Sequence, residues 1–198
     1  MSNSNNQKMK TESHNLFSTP IWGYVLSSEK NRLDSYIKRI RTIEEHEPSV
    51  KKSNFGGYQT RDSLHIEPIF QELVETIESL AQDIVEDVKT PTEKVGKVVI
   101  KDMWANINNK YNCNQAHVHS GILSGAFYLQ VPENSGKIVF VNPAVRSSAH
   151  LIRSLDYGAQ PAQLCLFLFP SWLEHYVESN MNDESRISIS FNIDLGEK

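Results

Sequence analysis

The chain has 198 residues, 39% of them apolar and 22% charged, with a formal net charge of -4. A chain of this length can bury on the order of 70% of its unfolded surface in one domain, and its acidic balance lacks the basic footprint of a nucleic-acid binder. The longest apolar run, LCLFLF at 164–169, is far shorter than the ~20 residues of a spanning helix.

The N-terminus, MSNSNNQKMKTESHN, is polar and has no apolar h-region. It therefore reads as a tail (residues 1–14) of a cytoplasmic protein rather than as a secretory signal. LFSTPIWGYVL (16–26) carries a proline and reads as a short edge strand, or as an interface if the chain is a homodimer. Ser27 and Ser28 are candidate caps for a following helix. In that helix Leu33, Tyr36, Ile37, Ile40 and Ile43 recur at steps of three and four. Residues 46–64, with Pro48, Gly56 and Gly57, read as a loop. A second helix starts near Pro68, which suits a first helical turn. Its stripe is Ile69, Phe70, Leu73, Val74, Ile77, Leu80, Ala81, Ile84 and Val85. Two such helices cover one face of a sheet.

From residue 95 the period changes to two. The expected strands are 96–107, 113–119, 123–131, 137–141, 149–153, 162–169, 175–179 and 186–194. PENSG (132–136), NP (142–143), YGAQP (157–161) and the polar segment 180–184 separate some of them as turns. Many short strands at this spacing predict an antiparallel barrel or sandwich. The whole is one domain over 15–198, with a helical support region (15–94) and a strand-rich core (95–194). Cys113 and Cys165 form no pattern and read as reduced thiols.

His117 and His119 stand apart from the other histidines because residues i and i+2 of a strand share a face. Two side-by-side imidazoles are a workable bite for one metal ion, although a bare H-x-H can also be a polar patch. His175 opens a later strand, within FPSWLEH (169–175), and Arg186 opens the last. There Arg186, Ser188, Ser190 and Asn192 fall on one face, and Ile187, Ile189, Phe191 and Ile193 on the other. Ser124, Ala126, Tyr128 and Gln130 form a similar row in 123–131. Arg186, Ser188 and Tyr128 together suit an anion, because a guanidinium fork can bond both oxygens of a carboxylate. Gly125 allows a close backbone approach, and Trp172 reads as a packing residue under the FPSWLEH turn.

These residues resemble the Fe(II)/2-oxoglutarate-dependent oxygenases, which carry H-x-D/E on one strand, a distal histidine on a later one and an arginine on the last. The wording LFSTPIW, HVHSGILSGAFY, PENSG and FPSWLEH is similar to a bacterial and phage branch of that superfamily. The resemblance spans roughly residues 16–194. It implies a mainly β double-stranded β-helix (a jelly-roll, cupin-like barrel) with the two N-terminal helices packed on one sheet. It implies Fe(II) held by His117, His119 and His175. It also implies 2-oxoglutarate as co-substrate, held by Arg186, Ser188, Tyr128 and Asn106. The reaction implied is hydroxylation of a substrate that the sequence does not name, with release of succinate and CO2. Asn142 and Arg146 are weaker candidates for substrate contact.

The departure is His119, where a carboxylate is usual. Three neutral histidines leave the iron site one unit more positive than a site with a carboxylate, which favours anions and Fe(II) over Fe(III). Histidine is too large to leave room for a halide, which argues against halogenation. Asp102 and Glu174 are poor substitutes: Asp102 precedes the ligand strand and Glu174 has the opposite parity. If 175–179 and 186–194 form a hairpin with 179 opposite 186, Arg186 lies about 13 Å along the strands from His175 at ~3.3 Å per residue. A five-carbon diacid chelating the metal then fits the gap. The competing readings are a three-histidine cupin-type dioxygenase that needs no 2-oxoglutarate, and a metal-binding barrel that is not an enzyme.

Overall fold

The structure is a computed structural model in which residues 18–88, 96–144 and 156–196 are described. The expected tail, the expected strand at 149–153 and Arg146 lie outside them. The strands are β1 (Trp22–Val25), β2 (Asn54–Phe55), β3 (Tyr58–Gln59), β4 (Val98–Asn108), β5 (Cys113–His117), β6 (Leu123–Gln130), β7 (Ile138–Val141), β8 (Asp156–Ala159), β9 (Cys165–Pro170), β10 (His175–Val177) and β11 (Arg186–Leu195). The helices are α1 (Leu33–His46) and α2 (Gln71–Val88). The strands form two antiparallel sheets, one of six in the order β1-β9-β6-β11-β4-β3 and one of five in the order β2-β5-β10-β7-β8. This is the two-sheet form of the double-stranded β-helix. It is not closed into a barrel.

The six-stranded sheet has one dry face and one polar face, and the parity of its strands decides which is which. On β11, Ile187, Ile189, Phe191 and Ile193 are fully buried in one core with Tyr36, Ile40, Phe70, Leu73 and Ile77 of the helical layer. The alternate residues face the second sheet. On β4 the register slips where Asn192 and Ile193 of β11 meet Asp102 and Ile100, so exposed Lys101 is the extra residue of a bulge. The bulge changes the parity: Val98 and Ile100 face the helices before it, Met103, Ala105 and Ile107 after it. Asp102, Trp104, Asn106 and Asn108 therefore take the inner face. The start of β4 also needs α2 for its amides, since Val98 N–H donates to Gln82 Oε1 at 3.0 Å and Ile100 N–H to Glu78 Oε1 at 2.9 Å.

Gly125 lies where β6 crowds both neighbours. A Cβ there would stand 2.4 Å from the Phe191 ring and 2.5 Å from the Phe167 carbonyl. Gly125→Ala is expected to destabilise the fold by about 1–3 kcal/mol through overpacking, read as a lower midpoint in denaturant unfolding with an unchanged slope.

Several expectations need correction. Neither Ser27 nor Ser28 caps α1: a 3-10 turn (Ser27–Arg32) precedes the helix, and neither start has a side-chain cap bond. Ile69 stays exposed, while the rest of the α2 stripe is buried or packed against the core. The loop 46–64 contains the short strands β2 and β3, which lengthen one edge of each sheet. Residues 156–159, expected in part as a turn, pair with β7 as β8. Trp172 is 57% exposed; Leu173, at 2%, is the residue that packs under the turn. The hairpin between 175–179 and 186–194 does not form. β10 pairs with β5 and β7 in one sheet, and β11 with β4 and β6 in the other. The connection crosses between sheets and is held by fully buried Asn180, whose Nδ2 donates to the carbonyls of Asn108 and Glu184 while its Oδ1 accepts from Asn182 N–H.

Candidate functional site

A narrow pocket between the sheets is lined by His117, His119, His175, Trp104, Asn106, Tyr128, Arg186 and Ser188, among others. His117 ends β5 and lies directly opposite His175 of β10. His119 follows just past the end of β5, where its backbone N–H donates to the Ser171 carbonyl at 2.9 Å. Val118 between them is 56% exposed, so alternation persists beyond the ladder. One ring nitrogen from each histidine lies within 4.8 Å of the others, and no carboxylate joins this cluster among the described residues. Neither Asp102 nor Glu174 belongs to it.

The backbone sets two of the tautomers. His117 Nδ1 is 2.6 Å from the Gln115 carbonyl and His175 Nδ1 is 2.9 Å from the Leu173 carbonyl. A carbonyl only accepts, so both Nδ1 atoms carry the proton and both Nε2 atoms present lone pairs. Burial lowers the pKa of all three imidazoles. His119 falls to about 3, with the neighbouring His117 and His175 adding to the effect, and His175 falls to about 4 with help from His117. Phe169 and Phe140 pack near His175, with ring centroids 4.6 and 6.0 Å away. Three neutral nitrogen donors in a partly dry site suit a divalent cation of intermediate softness.

These shifts predict a pH dependence for the metal-free protein. An unfolded histidine binds its proton near pH 6.5, whereas the folded ones resist it, so the unfolded state holds more protons between about 6.5 and 3. Stability is therefore full above pH 6.5 and falls as the pH drops through that window. Unfolding midpoints measured at stepped pH check this, and a triple substitution of the three histidines should flatten the curve.

The opposite end of the pocket is cationic. Arg186 is 2% exposed, and no carboxylate pairs with it among the described residues. Its Nη1 donates to the carbonyls of Ser135 and Glu178, which leaves Nε and Nη2 without acceptors among the described residues. Gly136 makes this cradle possible: its φ is +85°, and a Cβ there would lie 2.5 Å from the Glu178 carbonyl oxygen. Ser188 stands between Asn106 of β4 and Tyr128 of β6 in direct cross-strand register. Tyr128 is 2% exposed, and burial pushes its hydroxyl up to about 12, against the opposing pull of Arg186. Asn106 donates through Nδ2 to Ser190 Oγ at 3.1 Å, while its buried Oδ1 has no partner.

The residues expected to act together thus meet in one pocket, except Asn142; Arg146 lies outside the described residues. Asn142 closes a local turn by accepting from Ala144 N–H and lines a separate cavity with Phe140 and Tyr157. Three contributors escaped the sequence reading: Asn114 and the carbonyls of Ser135 and Glu178; Ser190 was placed on the polar face but given no role. PENSG was legible as a turn, but nothing local reveals that a turn's carbonyl cradles an arginine 51 residues away.

The model of a family described as "Putative 2OG-Fe(II) oxygenase" matches residues 102–192. That span contains the three histidines, Asn106, Tyr128, Arg186 and Ser188. No curated protein sequence matches the chain. Among solved structures, a prolyl-4-hydroxylase from Pseudomonas putida is 11% identical, with 91% of this chain and 95% of that one covered and a TM-score of 0.66. SnoN, an alpha-ketoglutarate-dependent epimerase from nogalamycin biosynthesis, is 14% identical, covering 89% and 77%, with a TM-score of 0.68. HygX from Streptomyces hygroscopicus, solved with nickel and 2-oxoglutarate, is 10% identical, covering 89% and 83%, with a TM-score of 0.62. At such identities the structural likeness speaks for the fold, while the family model matches the region of the site. Residues 102–192 thus match the model of a 2-oxoglutarate-Fe(II) oxygenase family, and the chain shares the fold of these solved oxygenases over most of its length.

Proposed function

We propose that the protein hydroxylates a substrate carbon, using Fe(II) held by His117, His119 and His175 and 2-oxoglutarate held by Arg186. The observation that carries this reading is a buried arginine without a carboxylate partner, in the same narrow pocket as three neutral, clustered imidazoles. A buried cation costs several kcal/mol of desolvation if unpaired, and a dicarboxylate bridging the two ends supplies the missing charge. Together the metal and co-substrate supply oxidation of a C–H bond to C–OH by O2, coupled to decarboxylation of 2-oxoglutarate to succinate and CO2.

The chain's own residues bind and orient. Arg186 offers Nε and Nη2 to the distal carboxylate, and Ser188 and Tyr128 add hydroxyl donors from adjacent strands. Tyr128, with its pKa raised to about 12, stays protonated at neutral pH and so remains a donor. Turning the Asn106 amide by 180° lets Oδ1 accept from the Ser190 hydroxyl and frees Nδ2 to donate to a carboxylate, which removes the orphaned acceptor. The pocket encloses about 30 Å³, room for about two waters, so 2-oxoglutarate binds by widening it. The deciding experiment is anaerobic titration of the Fe(II)-loaded protein with 2-oxoglutarate. A visible metal-to-ligand charge-transfer band is expected, and succinate on admission of O2. Absence of both sinks the reading.

A further inference from the structure

A second, larger cavity of about 530 Å³ opens on the other side of the histidines. Trp104, His117 and His119 line both spaces. The inner faces of β4 and β11 run from one to the other, and their charges are sorted along the way. Arg186 and Ser188 of β11 line the narrow pocket, whereas Asn192 lines the large cavity. On β4, Asn106 lines the narrow pocket and Asp102 the large cavity. Asp62 joins Asp102 there, and neither carboxylate has an ion pair among the described residues. Among the described residues Asp102 accepts only the neutral Asn192 amide, at 3.2 Å.

Gln59 is a second, independent sign that something binds here. It is 6% exposed and lines the cavity, yet its side-chain amide makes no hydrogen bond among the described residues. The amide is therefore free to bond a polar group in the cavity through both its oxygen and its nitrogen. Trp104 adds an aromatic ring 5.6 Å from that of His119. The cavity also includes Lys52, an exposed residue with one positive charge against two negative ones.

We propose that this cavity seats the primary substrate, and that the substrate carries a protonated amine held by Asp102 and Asp62 beside Trp104. The assignment rests on the oxygenase reading for its word "substrate", but the binding chemistry stands on the cavity alone. An anionic ligand would meet two unpaired carboxylates; an ammonium pairs with them and gains the face of an indole. The arrangement also protects the metal. A free amine is itself a metal ligand, and Asp102 lies two residues along β4 from Trp104, about 7 Å at ~3.3 Å per residue. The amine is thereby kept protonated and away from the imidazole cluster, with the carbon to be oxidised on the side nearer His119.

Three compounds of one shape and different charge test this: 2-phenylethylamine, N-(2-phenylethyl)acetamide and 3-phenylpropanoate. Their affinities are measured by protein-observed NMR titration of the metal-free protein, and in parallel of the protein loaded with Zn(II) and 2-oxoglutarate. The amine is expected to bind about tenfold more tightly than the acetamide, as a charge-assisted contact outweighs a neutral one, and the carboxylate more weakly still. Asp102→Asn should bring amine and acetamide close to parity. Asp62→Asn, at an exposed position, should narrow the gap even if the Asp102 variant fails to fold. Equal binding of amine and acetamide, preference for the carboxylate, no binding of any of the three, or preference unchanged in both folded variants would overturn the proposal. The metal-free arm does not depend on 2-oxoglutarate. A missing charge-transfer band with intact amine selectivity would therefore sink the oxygenase reading and spare the cation site.

Discussion

Replacing Arg186 by alanine will weaken 2-oxoglutarate by roughly 30-fold to several-thousand-fold, the equivalent of about 2–5 kcal/mol for losing one partner of a desolvated charge pair. Fe(II) affinity should change little, because the guanidinium bonds the Ser135 and Glu178 carbonyls and no histidine. Calorimetric titration of each ligand separates the two effects. Equal loss of both would show that Arg186 holds the fold and not the co-substrate. Arg186→Lys refines the test: it keeps the charge but loses the planar fork, so it should fall between wild type and alanine. The alanine variant leaves the buried Ser135 carbonyl and the part-buried Glu178 carbonyl without this donor. Its unfolding midpoint should therefore be measured alongside, so that a structural loss is not read as a binding loss.

The second large effect is expected at His119. If its imidazole is a ligand, His119→Ala should cost more metal affinity than the ~10–100-fold typical of changes one layer further out. His119→Asp should keep the metal, because a carboxylate is also a good oxygen donor, but it lowers the charge of the loaded site by one unit. 2-Oxoglutarate, an anion, should then bind more weakly. Metal titration by competition with a chromophoric chelator checks the first effect, and the charge-transfer titration checks the second. Iron affinity unchanged in both variants would remove His119 from the ligand set. A loss in alanine that aspartate restores is what a ligand predicts and what a packing residue does not. His119 has no side-chain hydrogen bond of its own among the described residues; its ring is flanked by those of Trp104, His117 and His175.

How the site assembles shows what could be read from the chain. The alternation in 186–193 was legible because two different environments enforce it. Ile187, Ile189, Phe191 and Ile193 are dry against the helices, and the residues between them face a polar pocket. The same holds for Tyr128 within β6 and for the stripe of α2. The H-x-H geometry was legible too, since side-chain parity is local and survives past the last ladder bond at His117. The β4 bulge was not legible: Lys101 is an ordinary residue, and only the competing registers of β4 against β11 and of β4 against α2 push it out.

Sheet membership was the larger gap. The turn between β10 and β11 looked like a hairpin because consecutive antiparallel strands usually pair. Here Asn180, buried by the β4–β5 connection, ties that turn across the two sheets. His175 consequently faces His117 and not residue 190. Arg186 and His175 are not spaced along one hairpin but line one pocket from two different sheets.

The sequence by itself determined the residue types, their faces and the order in which they arrive. Periodicity is a property of neighbouring backbone units and needs no distant partner. Tertiary structure alone decided which strands face each other, that a turn carbonyl cradles Arg186, and that one cavity collects carboxylates while the other collects the arginine. Those outcomes depend on contacts between residues far apart in the chain, whose pairing is set by the packing of whole sheets.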